Sequence, residues 1–335
     1  MQRIPENRSS FYLVMQWAAE AILQRQREDG ALLMAPADQL VNSIIPYFAN
    51  LAVIGLTVAY PHTRNGLHVR AAQKWLRWYA THLNADGTIY DYRVRSGATQ
   101  STGDCDSTDS YAATFLEALQ RTAQVAGSRQ WLVSLYPAAM KATVAIRLTL
   151  QPDGLTWAKP SYRVKYLMDN VEVFRGWQSA RWIAHIMGRK REAEEFQKLA
   201  EHTLQAIEAQ LFLQEEGYYA WALHEDGARE TRLSEWYPDI MAQLMAIAWL
   251  PASARRKTLF ARLHQQFRRV WQSALEENQV STLVWWSMAA IGAGDHDFAR
   301  RLMRPLMEEG VRGRAQLHLG EYGHVLRVCA ELPRL

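Results

Sequence analysis

The chain has 335 residues, 38 Lys and Arg against 34 Asp and Glu, a net charge of +4 and 49% hydrophobic residues. That is enough apolar sequence for a sizeable core, while no apolar run approaches the roughly 20 residues of a membrane-spanning helix. The small basic excess lies on helix faces that expect water and argues for no nucleic-acid partner, and Cys105 and Cys329 are too few and too far apart for a disulfide framework or a cysteine-rich zinc site.

The first residues, Met1 to Asn7, run straight into a helix without the charged, apolar and small-residue regions of a secretory leader. With two expected reduced thiols, this points to a cytoplasmic protein. Helical periodicity then continues almost to the end, in two alternating kinds of segment. Amphipathic segments with a charged face cover about 9–28, 66–83, 129–150, 190–213, 253–274 and 296–310. Segments apolar nearly all round cover about 42–60, 107–127, 170–188, 236–250, 279–293 and 321–331. The first kind has one wet face; the second must be packed on every side. Six alternating pairs predict an all-α (α/α)6 toroid, a single domain over residues 1–335, with the apolar helices inside and the amphipathic ones outside. The short twelfth helix is the expected weak point of the ring.

Each of the first four amphipathic helices is followed by the same punctuation: Glu28-Asp29-Gly30, Ala85-Asp86-Gly87, Pro152-Asp153-Gly154 and Glu215-Glu216-Gly217, with aliphatic or aromatic residues behind the glycine. Glycine ends a helix at positive φ, and the residues behind it favour a short extended piece. In a toroid these turns gather at the end where the inner helices begin, and the long loops 84–106 and 151–169 should wall a cleft there.

Three inner helices open with carboxylates at helical spacing: Asp106 and Asp109, Asp169 and Glu172, and Glu235 and Asp239. Capping of the helix N-terminus accounts for Asp106 and Asp169 on its own terms. It serves less well for Asp109, Glu172 and Asp239, because a carboxylate in an apolar ring is costly unless it is hydrogen-bonded or serves a site. Aromatic residues surround these starts: Tyr90, Tyr92, Trp157, Tyr162, Tyr166, Trp177, Trp236, Tyr237, Trp285 and Trp286. Such rings either pack the core or stack on sugar rings. Two carboxyl groups across a cleft are what glycosidic cleavage requires.

The alternating helices, the repeated turns and the acidic, aromatic helix starts resemble the six-hairpin glycosidase superfamily, with no single family's signature in evidence. The resemblance implies inverting hydrolysis of a poly- or oligosaccharide with Asp or Glu as acid and base, or hydration of unsaturated uronides by an Asp; no motif calls for a cofactor or a metal. Asp109 and Glu172 are expected to point into the cleft, with Asp106, Asp169 and Asp239 as partners. Tyr92, Trp157, Tyr162, Arg163, Arg175, Trp177, Trp236 and Tyr237 are the expected substrate contacts. Lys159, Arg163, Lys165, Arg93 and Arg95 are either solvated loop charges or a means of recognising an anionic sugar. Three alternatives share the fold: a lyase using Tyr111, Tyr162, Arg163 and Arg175; an epimerase, for which only His324 lies near an inner helix start; and a non-catalytic carbohydrate-binding scaffold. The oligomeric state is left open.

Overall fold

The computed structural model describes residues 6–36, 39, 41–309 and 317–332. The outer helices are α1 (Glu6–Leu23), α3 (Gly66–His82), α5 (Arg129–Thr149), α7 (Lys190–Ala206), α9 (Ala254–Gln266) with α10 (Arg268–Glu276), and α12 (His296–Glu309). The inner helices are α2 (Pro46–Thr63), α4 (Thr108–Ala126), α6 (Leu167–Ile186), α8 (Met241–Trp249), α11 (Val280–Ala293) and α13 (Leu319–Glu331). Each inner helix packs on the next, α2 on α4, then α6, α8, α11 and α13, and α13 returns to α2. The chain is the all-α toroid that its two kinds of helix predict.

Boundaries shift where local chemistry competes with periodicity. Residues 41–44 form strand β1 (Val41–Ile44), and α2 starts only at Pro46, whose missing N–H costs nothing in a first turn. The expected inner segment from 236 begins with a π-helical turn, Trp236–Ile240, containing a cis Tyr237–Pro238 bond, so the regular helix α8 is only nine residues long. The fifth outer helix breaks at Phe267, and Trp271 donates its indole N–H to the freed His264 carbonyl at 3.0 Å.

The expected weak point is a tight one. At the α2–α13 contact, a Cβ on Gly323 would stand 2.3 Å from the Leu51 carbonyl oxygen, and one on Gly55 would stand 2.5 Å from that of Gly323. Backbones meet there because neither helix carries a side chain in the way. Gly323→Ala should therefore cost about 1–3 kcal/mol or more by forcing the two helices apart, and a urea midpoint equal to that of the unaltered protein would count against this account.

The Asp-Gly turns hold the outer ring in register. In the first three, the side chain of Asp29, Asp86 or Asp153 accepts the amide two residues on. The turn glycine then seats on the next outer helix: Gly30 on Lys74 of α3, Gly87 on Lys141 of α5, Gly154 on His202 of α7 and Gly217 on Arg262 of α9. At Gly87, φ is +84° and a Cβ would lie 2.0 Å from the Lys141 carbonyl oxygen, so the position demands glycine twice over.

The long loops add two three-stranded antiparallel sheets at the mouth. β1 pairs with β2 (Tyr92–Arg95) and β2 with β3 (Ala98–Ser101). β4 (Val164–Tyr166), which leads into α6, pairs with β7 (Ala222–His224), and β7 with β8 (Arg229–Glu230); β5 (Phe212–Leu213) and β6 (Tyr218–Tyr219) form a separate pair. Cys105 and Cys329 are both buried free thiols. No described helix is long and apolar enough to cross a membrane.

Candidate active site

The N-terminal ends of all six inner helices meet around a cavity of about 600 Å³, which receives Tyr47 from α2, Ser110 from α4, Asp169 from α6, Met245 from α8, Trp285 from α11 and His324 from α13. A second cavity of about 690 Å³, lined by Tyr162, Tyr166 and Trp221, adjoins it. The two share Asp106, Ser107, Met168, Asp169 and Tyr237. The site is therefore a two-lobed cleft with carboxylates at its waist.

Asp106 and Asp169 reach that waist, and neither is a cap. The N-cap of α4 is Ser107 and that of α6 is Tyr166, and neither position makes a side-chain capping bond. The Asp106 side chain is exposed. Asp169 Oδ2 lies 3.0 Å from the Ser107 hydroxyl oxygen, and burial together with the neighbouring charges of Asp109, Glu172 and Asp106 raises its carboxyl well above the usual range.

Asp109 and Glu172 are corrections. Both lie beneath the cleft rather than in it. Asp109 is fully buried, with Ser107 and Thr156 hydroxyls at 2.5 Å and the Ser110 amide at 2.8 Å, so its oxygens are occupied by the protein. Burial lifts it to about 6 against the pull of those donors. Glu172 is 3% exposed and accepts the Tyr47 hydroxyl at 2.9 Å; burial pushes it to about 8, opposed by the Ser110 and Tyr47 hydroxyls and aided by Asp109. Between its ordinary 4.5 and about 8, Glu172 keeps in the folded state a proton that the unfolded chain has released. The folded state binds more protons there, so stability falls as pH rises through that window. Glu172→Gln should flatten the decline of Tm between these pH values, and an unchanged slope would show that other groups cause it.

Asp239 is also a correction. It is fully buried and accepts the Ser234 amide at 2.9 Å, the Glu235 amide at 3.0 Å and the Arg232 guanidinium at 3.2 Å. Burial alone would raise it, but these donors hold it below the usual range, and its work is to shape the turn before α8.

Trp236, Tyr237 and Tyr162 line the cleft, with Tyr237 64% and Tyr162 47% exposed, and the Tyr162 hydroxyl lies 3.0 Å from that of Tyr166. The other expected contacts are used elsewhere. Trp177 is fully buried and stacks on Phe196, because a helix packed on every side has no face left for a ligand. Arg175 is held by Glu117 in the barrel. Tyr92 packs edge-on against Trp78 and His82, and Trp157 lies under the guanidinium of Arg163, which pairs with Glu225 at 2.6 Å. Of the loop cations, Lys165 is bound by Asp153, Arg93 and Arg95 are exposed on β2, and Lys159 borders the outer lobe while bonded to Asp104 at 3.0 Å.

Two groups in the inner lobe, Asp91 and His318, escaped the sequence reading. Asp91 accepts the Tyr111 hydroxyl at 3.0 Å, and burial raises its carboxyl to about 6. It closes the extended piece behind the second Asp-Gly turn, a place that attention to helix starts passes over. His318 joins His324 in lining the lobe, although only His324 was expected near an inner helix start. His318 caps α13 through the Gly320 amide; burial pushes His324 well below its ordinary value, which favours the neutral ring.

No family model and no curated protein matches the chain. Solved structures do. A wild-type glycosidase is similar at TM-score 0.68 and 12% identity, covering 100% of both chains. A possible member of the GH105 family from Klebsiella pneumoniae is similar at TM-score 0.58 and 12% identity, covering 100% of this chain and 95% of that one. A sugar epimerase from a ruminal bacterium is similar at TM-score 0.51 and 10% identity, covering 89% and 74%. At such identities the likeness is one of fold alone: the chain shares the all-α toroid of these structures, and no family is assigned to it.

Proposed function

We propose that this chain is a glycoside hydrolase that binds an oligosaccharide along the two lobes and cleaves it at the waist. The observation that carries this reading is the pair Asp106 and Asp169, the two carboxylates common to both lobes. Asp169, whose environment favours its protonated form, donates its proton to the glycosidic oxygen as the bond to the anomeric carbon breaks. Asp106, open to solvent, takes a proton from the water that attacks that carbon. Tyr237 and Trp236 offer ring faces to sugar C–H groups beside the waist, and Tyr166, stacked parallel to Trp221, does so in the outer lobe.

The test is an incubation with a panel of oligosaccharides and aryl glycosides, read as new reducing ends. Wild type is expected to release them and Asp106→Asn to lose most of that release. Products absorbing in the near ultraviolet would point to a lyase instead.

A second reading, sugar epimerisation, is favoured by His318 and His324 facing one lobe. It expects interconversion of a reducing sugar, with solvent deuterium entering the product and no chain cleavage. His324→Ala should abolish that exchange under this reading and leave the hydrolytic step under the first.

A further inference from the structure

We infer that Ser107 is a proton-sharing bridge: its hydroxyl accepts from a protonated Asp169 and donates to an ionised Asp109, so the sealed Asp109 fixes the acidic proton at the waist. This rests on the reading of Asp169 as the acid, and it assigns Ser107 and Asp109 as positioning residues.

The Ser107 hydroxyl carries one hydrogen. The Ser107 Oγ lies 2.5 Å from Asp109 Oδ1 and 3.0 Å from Asp169 Oδ2, and a hydroxyl can donate only once. If both carboxyls were ionised, one of them would face lone pairs on the Ser107 oxygen. If Asp169 holds a proton, it donates to Ser107, Ser107 donates to Asp109, and every atom is satisfied.

The surroundings decide which carboxyl carries that proton. Asn170 donates its Nδ2 to the Thr156 carbonyl at 3.2 Å and the Tyr166 carbonyl at 2.9 Å, while its Oδ1 accepts the Thr156 amide at 2.8 Å. The Thr156 hydroxyl stands 3.2 Å from that Oδ1 but 2.5 Å from Asp109 Oδ2, so its hydrogen goes to Asp109. The Ser110 amide adds a third donor at 2.8 Å. Three donors converge on Asp109 and favour its charge, while Asp169 has the Ser107 oxygen. Ser107 also stands at the N-cap of α4 yet gives no capping bond, so its hydroxyl is committed to the carboxyls at the helix's expense.

The charged and titratable groups facing Asp169 are Asp109, Glu172 and Asp106, together with the phenols of Tyr47, Tyr166 and Tyr237. Once Asp169 has given its proton to the leaving oxygen, two carboxylates confront one hydroxyl hydrogen. That repulsion draws a replacement proton to Asp169 from water in the cleft, while Asp106 returns its own to solvent.

Removing the bridge should reverse the order of the pair. In Ser107→Ala, Asp109 loses a close donor and becomes the better home for the proton; a neutral Asp109 no longer repels charge on Asp169, which then ionises more easily. Side-chain carboxyl ¹³C NMR titration of wild type, Ser107→Ala and Ser107→Thr reads this without any substrate. Wild type and Ser107→Thr are expected to show Asp169 titrating above Asp109, and Ser107→Ala the opposite. In kinetics, Ser107→Ala should shift the basic limb of the pH profile to lower pH by about one unit and lower kcat near neutrality about tenfold, with Ser107→Thr restoring both. Asp109 titrating above Asp169 in wild type overturns the inference with no variant needed, as does a Ser107→Ala protein that keeps the wild-type order. If no glycoside is hydrolysed, the hydrolase reading fails while the titration still decides the bridge.

Discussion

Asp169→Asn is expected to cut kcat by about 10²–10⁴-fold, the usual worth of a positioned general acid, and to leave sugar binding nearly intact. Asn has the same shape and can still meet the Ser107 hydroxyl, so the cleft should keep its form. The side chain lost is one that the fold strains to keep: burial and three nearby carboxyls oppose its charge. Asp169→Asn should thus also raise Tm increasingly as pH rises above the ordinary carboxylate value, where wild type is pressed to ionise Asp169 against those neighbours. A raised folded-state pKa means that the stability penalty grows as pH climbs towards it and is absent below the unfolded value. Loss of activity with a gain in stability marks a residue kept for chemistry rather than packing. A variant that retains most of its kcat, measured on whichever glycoside the wild type cleaves, would remove Asp169 from the acid role.

The ring was legible because its signals are local. A helix packed on every side must be apolar all round, and the alternation of such helices with amphipathic ones leaves few arrangements other than a toroid. The Asp-Gly turns were equally plain, and what they do, seating each glycine on the next outer helix, follows from the same geometry. The site was legible by region but not by residue. Asp106 and Asp109 lie three apart on one helix start, and Asp169 and Glu172 do likewise, yet the first of each pair meets the cleft and the second lies beneath it. Helical spacing places both members on one face and says nothing of depth. That is settled by Thr156 and Tyr47, which come from elsewhere in the chain to occupy Asp109 and Glu172. Trp177 and Arg175 were misread for a related reason: the interior of the ring takes aromatic rings and even ion pairs as core, and their types alone cannot tell core from subsite. Asp91 and His318 lie in connections, where periodicity offers no guide.

Glu117→Gln is expected to cost about 3–5 kcal/mol of stability, the scale for removing one partner of a buried ion pair. Glu117 is 5% exposed on α4 and accepts Arg175 Nε of α6 at 2.9 Å and Arg327 Nη2 of α13 at 3.1 Å, with Arg121 at 3.5 Å. Both Arg175 and Arg327 also lie over the ring of Trp249 on α8. One carboxylate thereby ties three inner helices and neutralises cations that a fourth shelters. Burial by itself would raise its carboxyl, but the charges of Arg175 and Arg327 outweigh that and hold it well below the usual range. With a lowered folded-state pKa, this contribution is complete above the unfolded value and fades as pH falls below it, opposite in sense to Glu172. The two groups are also linked, since Arg175 and Arg327 act on Glu172 as well. Without the Glu117 charge, those guanidinium groups have Glu172 as an acidic neighbour, so Glu117→Gln should lower the pH at which Glu172 ionises and flatten the decline of Tm between 4.5 and about 8. A variant unfolding at the wild-type urea concentration would show that the arginines find compensation elsewhere; a destabilised variant whose Tm falls as steeply as wild type over that window would show that the floor of the barrel and the carboxylates above it do not communicate.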